Sequence, residues 1–209
     1  GKSLAWIAPR DGVLNVWVAP VGELGSAKPV TDEKPRPIME YWWSPDGTRI
    51  VYAQDRGGNE NWVLYGVDVA TGTQITYTDT EKVTVRVIGA SPKVPGSILI
   101  GLNNRVPQFH DVYRLDLASG KRELVLKNDR WAGFLADWDL NVRFGFRQTP
   151  AGGAAIDRIA ADGKAELFDE FGADDAFTTG PLGITADGKT LYVRDSRGRD
   201  TSGLFALDL

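Results

Sequence analysis

The stretch Asp55–Gly72, DRGGNENWVLYGVDVATG, comes back later in the chain, and a repeat that carries its own turns constrains the architecture before any single residue does. It returns at Asn103–Gly120 as NNRVPQFHDVYRLDLASG and again from Asp195 as DSRGRDTSGLFALDL. The strands preceding the loops, SLAWIA, RIVYAQ, SILIGL, VRFGFR and TLYVRD, place Ala5, Tyr52, Ile100, Phe144 and Tyr192 at steps of 47, 48, 44 and 48. The matching residues of the next strand, Trp17, Tyr65, Tyr113, Asp157 and Phe205, follow after 12, 13, 13, 13 and 13 positions. A period of roughly 40–50 residues is that of a four-stranded propeller blade. The expected fold is all-β, a β-propeller of about four to five four-stranded antiparallel blades. Blade-like units are set at about 1–35, 36–80, 81–127, 128–170 and 171–209.

Turn chemistry supports the units. Pro45-Asp46-Gly47, Pro95-Gly96 and Asp187-Gly188 fall between apolar runs, where Pro presets φ and Gly accepts a positive φ. The first unit lacks a leading strand and the last lacks a closing one, which makes eighteen strands in all. Two three-stranded units cannot merge into one blade, so a piece of a longer ring is expected, with a five-bladed ring short of two strands as the alternative. Its open blade edges would offer a route to self-association.

Composition narrows the function classes. The 209 residues are 42% hydrophobic with 24 glycines, enough for a core built of many short strands. With no cysteine, neither disulfides nor thiolate metal sites are available. A net charge of −4, with both signs interspersed, argues against nucleic-acid binding. No window has the apolar length of a membrane span, and the opening SLAWIA lacks the layout of a signal peptide. These features lead to the expectation of a soluble, cytoplasmic protein, with the periplasm as the other compartment.

No catalytic, cofactor-binding or metal residue is assigned. The single histidine, His110, has Asp111 beside it, yet the same loop position one repeat earlier holds Glu60 and Asn61, so a structural histidine is the expectation. The nearest approach to a nucleophile elbow, Gly89-Ala90-Ser91-Pro92-Lys93, lacks its last glycine. Asp55, Asn59 and Glu60 lack calcium-loop spacing and are read as bonding their own backbone. Asp169, Glu170, Asp174 and Asp175 could attract a cation such as a peptide amino terminus, or form a solvated loop. Arg194, Arg197 and Arg199, interleaved with Asp195 and Asp200, read as a charged hairpin loop. Trp42 and Trp43 must point to opposite faces, so only one can enter a given layer. Trp17, Trp62 and Trp131 are expected to pack between blades.

The joined runs GVLNVWVAP, WSPDGTRIVYAQDRGGNENWVLYGVDVATG and GLNNRVPQFHDVYRLDLASGKRELVL resemble the amino-terminal propeller of the prolyl oligopeptidase family of serine peptidases. The branch they are most similar to is the bacterial acylaminoacyl-peptidase or dipeptidyl-aminopeptidase type. The likeness is strongest over residues 12–127 and weaker in the fourth unit, where Asp157 stands for the usual aromatic. The resemblance implies a non-catalytic segment that gates and positions oligopeptides for an α/β-hydrolase domain of the same polypeptide. It transfers no catalytic residue to this stretch, and the double-glutamate motif that grips a substrate amino terminus is not found. The alternative is a stand-alone propeller that binds proteins as a scaffold, as translocation propellers do. A small lactonase-type enzyme would need repeated inward metal ligands, and no such set is found.

Overall fold

The computed structural model describes residues 1–78 and 81–209. The boundary set at 80 between the second and third units lies outside the described residues. Eighteen strands are found among the described residues, all of them in antiparallel sheets of three or four strands. The first sheet holds β1 (Ser3–Arg10), β2 (Val13–Pro20) and β3 (Lys28–Pro29). The second holds β4 (Tyr41–Trp43), β5 (Arg49–Gln54), β6 (Val63–Asp68) and β7 (Gln74–Thr76). The third is β8 (Val85–Ala90), β9 (Ser97–Val106), β10 (Phe109–Asp116) and β11 (Arg122–Leu126). The fourth is β12 (Gly133–Ala136), β13 (Val142–Gln148), β14 (Ala154–Ile159) and β15 (Ala165–Phe171). The last is β16 (Gly180–Ile184), β17 (Thr190–Asp195) and β18 (Gly203–Asp208). Each sheet is a meander of sequence neighbours, the wiring of a propeller blade.

The recurring turns have a common mechanism. In the Ser44–Thr48 turn, Gly47 N–H donates to the Ser44 carbonyl at 2.8 Å and Gly47 has φ of 70°. Asp46 Oδ1 accepts from the Ser44 hydroxyl and from Thr48 N–H. Thr185–Lys189 repeats this, with Gly188 N–H on the Thr185 carbonyl and Asp187 accepting from the Thr185 hydroxyl. The D-x-A-[ST]-G ending of the repeat is a second such device. Asp68 Oδ1 takes the N–H of Ala70 and Thr71, and Asp116 Oδ1 takes the N–H and hydroxyl of Ser119. Glycine is required at 72 and 120 because φ is 73° and 72° there. The motif recurs because the same hairpin has to be closed again.

The chain forms two compact units. The first comprises residues 1–85 together with 116–121, the second residues 86–115 and 122–209. In the first unit, Val16 and Val18 of β2 form one buried cluster with Ile38, with Ile50 and Tyr52 of β5 and with Val67 of β6. Tyr41 reaches across from β4 to donate its hydroxyl to the Ala5 carbonyl at 2.6 Å. The hairpin 116–121 is held in this unit by Tyr77, whose hydroxyl donates to the Leu117 carbonyl at 2.8 Å. The second unit has two such layers. Leu99 and Val112 pack on Trp131, Leu140, Val142 and Ile159, and Phe144, Ile156 and Phe171 pack on Ile184 and Leu191.

Alternation separates the paired tryptophans. Trp43 packs against the first core, while Trp42, on the other face of β4, is 39% exposed. The repeat alignment needs one correction. Tyr52 does lie opposite Tyr65, but Phe144 lies opposite Arg158, and Asp157 falls opposite Gly145. The β13–β14 hairpin closes one residue later, so the position of the aromatic partner passes to Arg158. Its guanidinium sits 6.0 Å from the Phe144 ring centroid and 5.0 Å from that of Phe168. Trp17 likewise lies opposite Trp6, and Phe205 opposite Val193.

Candidate functional site

Most of the chemistry-bearing residues singled out in the sequence fall where the loop connections leave the sheets. In the second unit these connections are tied down by buried carboxylates. Asp111, 2% exposed, accepts from Arg105 through both oxygens at 2.8 Å and from Asn128 N–H at 2.7 Å. Asn128 in turn donates to the carbonyls of His110 and Trp131. Asp157, 3% exposed, accepts from Trp131 Nε1 at 2.9 Å and from Arg147 Nε at 3.0 Å. Burial pushes both carboxyls up, but hydrogen bonds from Arg105 and Asn128, and from Arg147 and Trp131, outweigh it and hold each below the usual carboxylate range.

His110 and Asp111 do not act as a pair. Neighbouring residues on a strand face opposite ways, and the Asp111 carboxylate is fully engaged by Arg105 and Asn128. The His110 ring packs beside Gly101, its Nε2 is buried without a hydrogen-bond partner, and burial together with the charge of Arg86 pushes it down to about 4. Burial and the nearby positive charge keep the ring neutral near pH 7. The sign of its pH effect follows. An unfolded histidine takes up a proton near 6.5 and the folded one does not until about 4, so acid favours the unfolded chain. Stability is expected to fall by about 1–2 kcal/mol between roughly pH 7 and pH 5, a loss that H110Q removes. Urea midpoints of the two proteins at both pH values check this. Parallel slopes would contradict it.

The acidic cluster and the charged hairpin loop, read separately in the sequence, are one network. Arg197 grips Asp169 with two hydrogen bonds of 2.9 Å and also binds Asp195. Asp175 Oδ1 accepts from the Ser196 hydroxyl at 2.6 Å, and Ser196 N–H donates to Thr179 Oγ1. Asp169 and Asp175 are therefore committed internally, while Glu170 and Asp174 face solvent. In the first unit the loop 55–61 is built as its residue types suggest. Asp55 Oδ2 accepts Glu60 N–H, and Asn59 Oδ1 accepts the N–H of Asn61. Arg36 Nε lies 2.8 Å from the buried Asp55 Oδ1. No group of three or more metal-ligating side chains is found among the described residues, nor a helix long and apolar enough to cross a membrane.

Sequence reasoning missed the partners Arg105, Asn128 and Arg147. One signal was available: Asp157 stands within the apolar run AAIDRIA, where a carboxylate demands a buried donor. Each of these carboxylates, Asp111, Asp157 and Asp169, ties a loop connection to its sheet through hydrogen bonds and ion pairs.

Comparison with known proteins places this architecture. No protein-family model matches the chain. Dipeptidyl aminopeptidase BIII from Pseudoxanthomonas mexicana is 48% identical over 210 residues, covering 100% of this chain, and the chain spans 30% of that protein's length. Among solved structures, a prolyl endopeptidase matches at a TM-score of 0.68 and 14% identity, over 99% of this chain and 31% of that one. The β-propeller domain of the Trilobed protease from Pyrococcus furiosus matches at 0.65 and 13%, over 100% and 65%. TolB from Acinetobacter baumannii matches at 0.59 and 18%, over 99% and 50%. The chain is a β-propeller segment, similar along its whole length to part of a dipeptidyl aminopeptidase and in fold to the propeller domains of peptidases.

Proposed function

We propose that the chain is the non-catalytic propeller part of a serine peptidase, which gates and positions oligopeptides for an α/β-hydrolase domain elsewhere in the same polypeptide. The observation that carries this reading is the 48% identity to a dipeptidyl aminopeptidase along all of this chain, which spans only 30% of that relative. The tied loops support it. A filter that rejects folded proteins needs a rim that does not yield, and the buried Asp111 and Asp157 anchors supply stiffness at the loop connections. Selection is by exclusion: flexible peptides enter, and folded chains are held away from the nucleophile.

The test uses the full-length gene product, a fluorophosphonate probe for activated serines and intact mass. The expected result is a polypeptide several times longer than 209 residues that takes one label. An unlabelled product of about this length would overturn the reading and favour a binding scaffold.

A further inference from the structure

Three turns of the second unit are laced to one another by side chains. They are residues 91–96, 137–141 and 185–189, and they follow β8, β12 and β16, the first strands of the third, fourth and fifth sheets. In a propeller the first strand of each blade is the innermost. Lys93 bridges all three turns. Its Nζ donates to Asp139 Oδ2 in the next turn at 3.3 Å and to the Ala186 carbonyl, two sheets on, at 2.5 Å. Trp138 Nε1 adds a tie between the later two, to the Ile184 carbonyl at 3.0 Å.

The parts differ in how firmly they are held. Asp137 fixes the middle turn, accepting from the N–H of Asp139 and Asn141 and pairing with Arg143 at 3.2 Å. Arg114 of β10 donates to the Leu140 carbonyl in the same turn. Leu140 has φ of 61° where the equivalent Gly47 and Gly188 have 70° and 74°. A leucine keeps that left-handed conformation because its side chain, 1% exposed, is locked in the core with Leu99 and Val112. The pin is weaker than the turn it enters. The side chains of Lys93 and Asp139 are 41% and 62% exposed, and an exposed ion pair is weak and screened by salt. We propose that Lys93 is the pin of a salt-sensitive clasp: seated, it holds the inner turns of three successive sheets together, and released, it lets the third sheet's turn part from the other two while every sheet stays folded. One consequence rests on the gating reading: a released clasp admits longer chains.

The test is hydrogen exchange by mass spectrometry on the full-length protein, wild type against K93M, read at the 137–141 and 185–189 turns. The Gly163 amide, which donates to the Ala160 carbonyl in a turn that Lys93 does not touch, is the internal control. K93M is expected to raise exchange at both turns about two- to fivefold and to leave the Gly163 turn unchanged. Wild type is expected to move the same way as NaCl rises from about 0.1 to about 1 M, and K93M to show no such response. K93R, which keeps the charge, is expected to retain most of the protection. Exchange in K93M equal to wild type at both turns, or a rise of the same size at Gly163, would overturn the clasp. A salt response that survives in K93M would overturn it as well. The gating consequence is read separately, from the preference of the same variant for short over long peptides. Raised exchange with that preference unchanged would sustain the clasp and overturn its part in gating.

Discussion

Replacing Asp157 by alanine is expected to destabilise the second unit by about 2–4 kcal/mol. The carboxylate is 3% exposed and holds both Trp131 Nε1 and Arg147. Alanine leaves a buried indole N–H and a largely covered guanidinium without an acceptor, and the lower end of the range allows for the 27% exposure of the Arg147 side chain. The damage spreads because Trp131 lies flat on Gly145. A Cβ at 145 would stand 2.6 Å from the indole, so the ring's seat depends on the glycine beneath it. D157N, which keeps an acceptor for the indole, is expected to recover part of the loss. Urea unfolding followed by tryptophan fluorescence measures both variants. The sign of the pH dependence is fixed: a depressed carboxyl contributes above its unfolded value near 3.9 and loses that contribution as pH falls through its lower folded value. The gap between wild type and D157A should therefore narrow only in strong acid. A gap already closed at about pH 5 would mean that the ion pair is not what D157A removes.

Tyr77→Ala is the counterpart in the first unit, with an expected cost of about 3–5 kcal/mol. The ring is 3% exposed and fills the space over Gly66, where an added Cβ would come within 2.6 Å of it. Its hydroxyl donates to the Leu117 carbonyl, and a Cβ added at Gly120 would meet its ring at 3.7 Å. Truncation opens a cavity and leaves that carbonyl unpaired. Y77F, which keeps the ring, should cost only about 1 kcal/mol. Hydrogen exchange gives the sharper readout, because the turn 116–121 is tied to the first unit through this side chain. The Gly120 amide, which donates to the Asp116 carbonyl, is expected to lose protection in Y77A. Unchanged protection there, with stability lost elsewhere, would assign Tyr77 to packing alone.

The repeat made the blade order readable before any coordinates, because the hairpin chemistry is local. Asp68 and Asp116 each close a turn with groups two or three residues away, so the motif carries its mechanism with it. Register was less legible. A hairpin that closes one residue later moves every cross-strand pair, and nothing in VRFGFR or AAIDRIA announces that Arg158, not Asp157, faces Phe144. Long-range ion pairs were illegible for the same physical reason. Arg197 and Asp169 are 28 residues apart, and only the packing of β17 against the end of β15 makes them a pair. Asn59 was read correctly because its partners are close in sequence, and Asp55 only in part, since one oxygen takes Glu60 N–H while the other lies beside Arg36.

The central claim, a propeller that selects substrates by exclusion, is tested most directly by the ratio of kcat/KM for a short peptide to that for an unfolded chain of about a hundred residues carrying the same cleavable end. The ratio is measured on the full-length protein, first wild type and then D157N. A stiff gate predicts a ratio well above tenfold in wild type and a clear fall in D157N, where the loop anchor is weakened while the fold is retained. A wild-type ratio near one would contradict the account, because the propeller would then be excluding nothing.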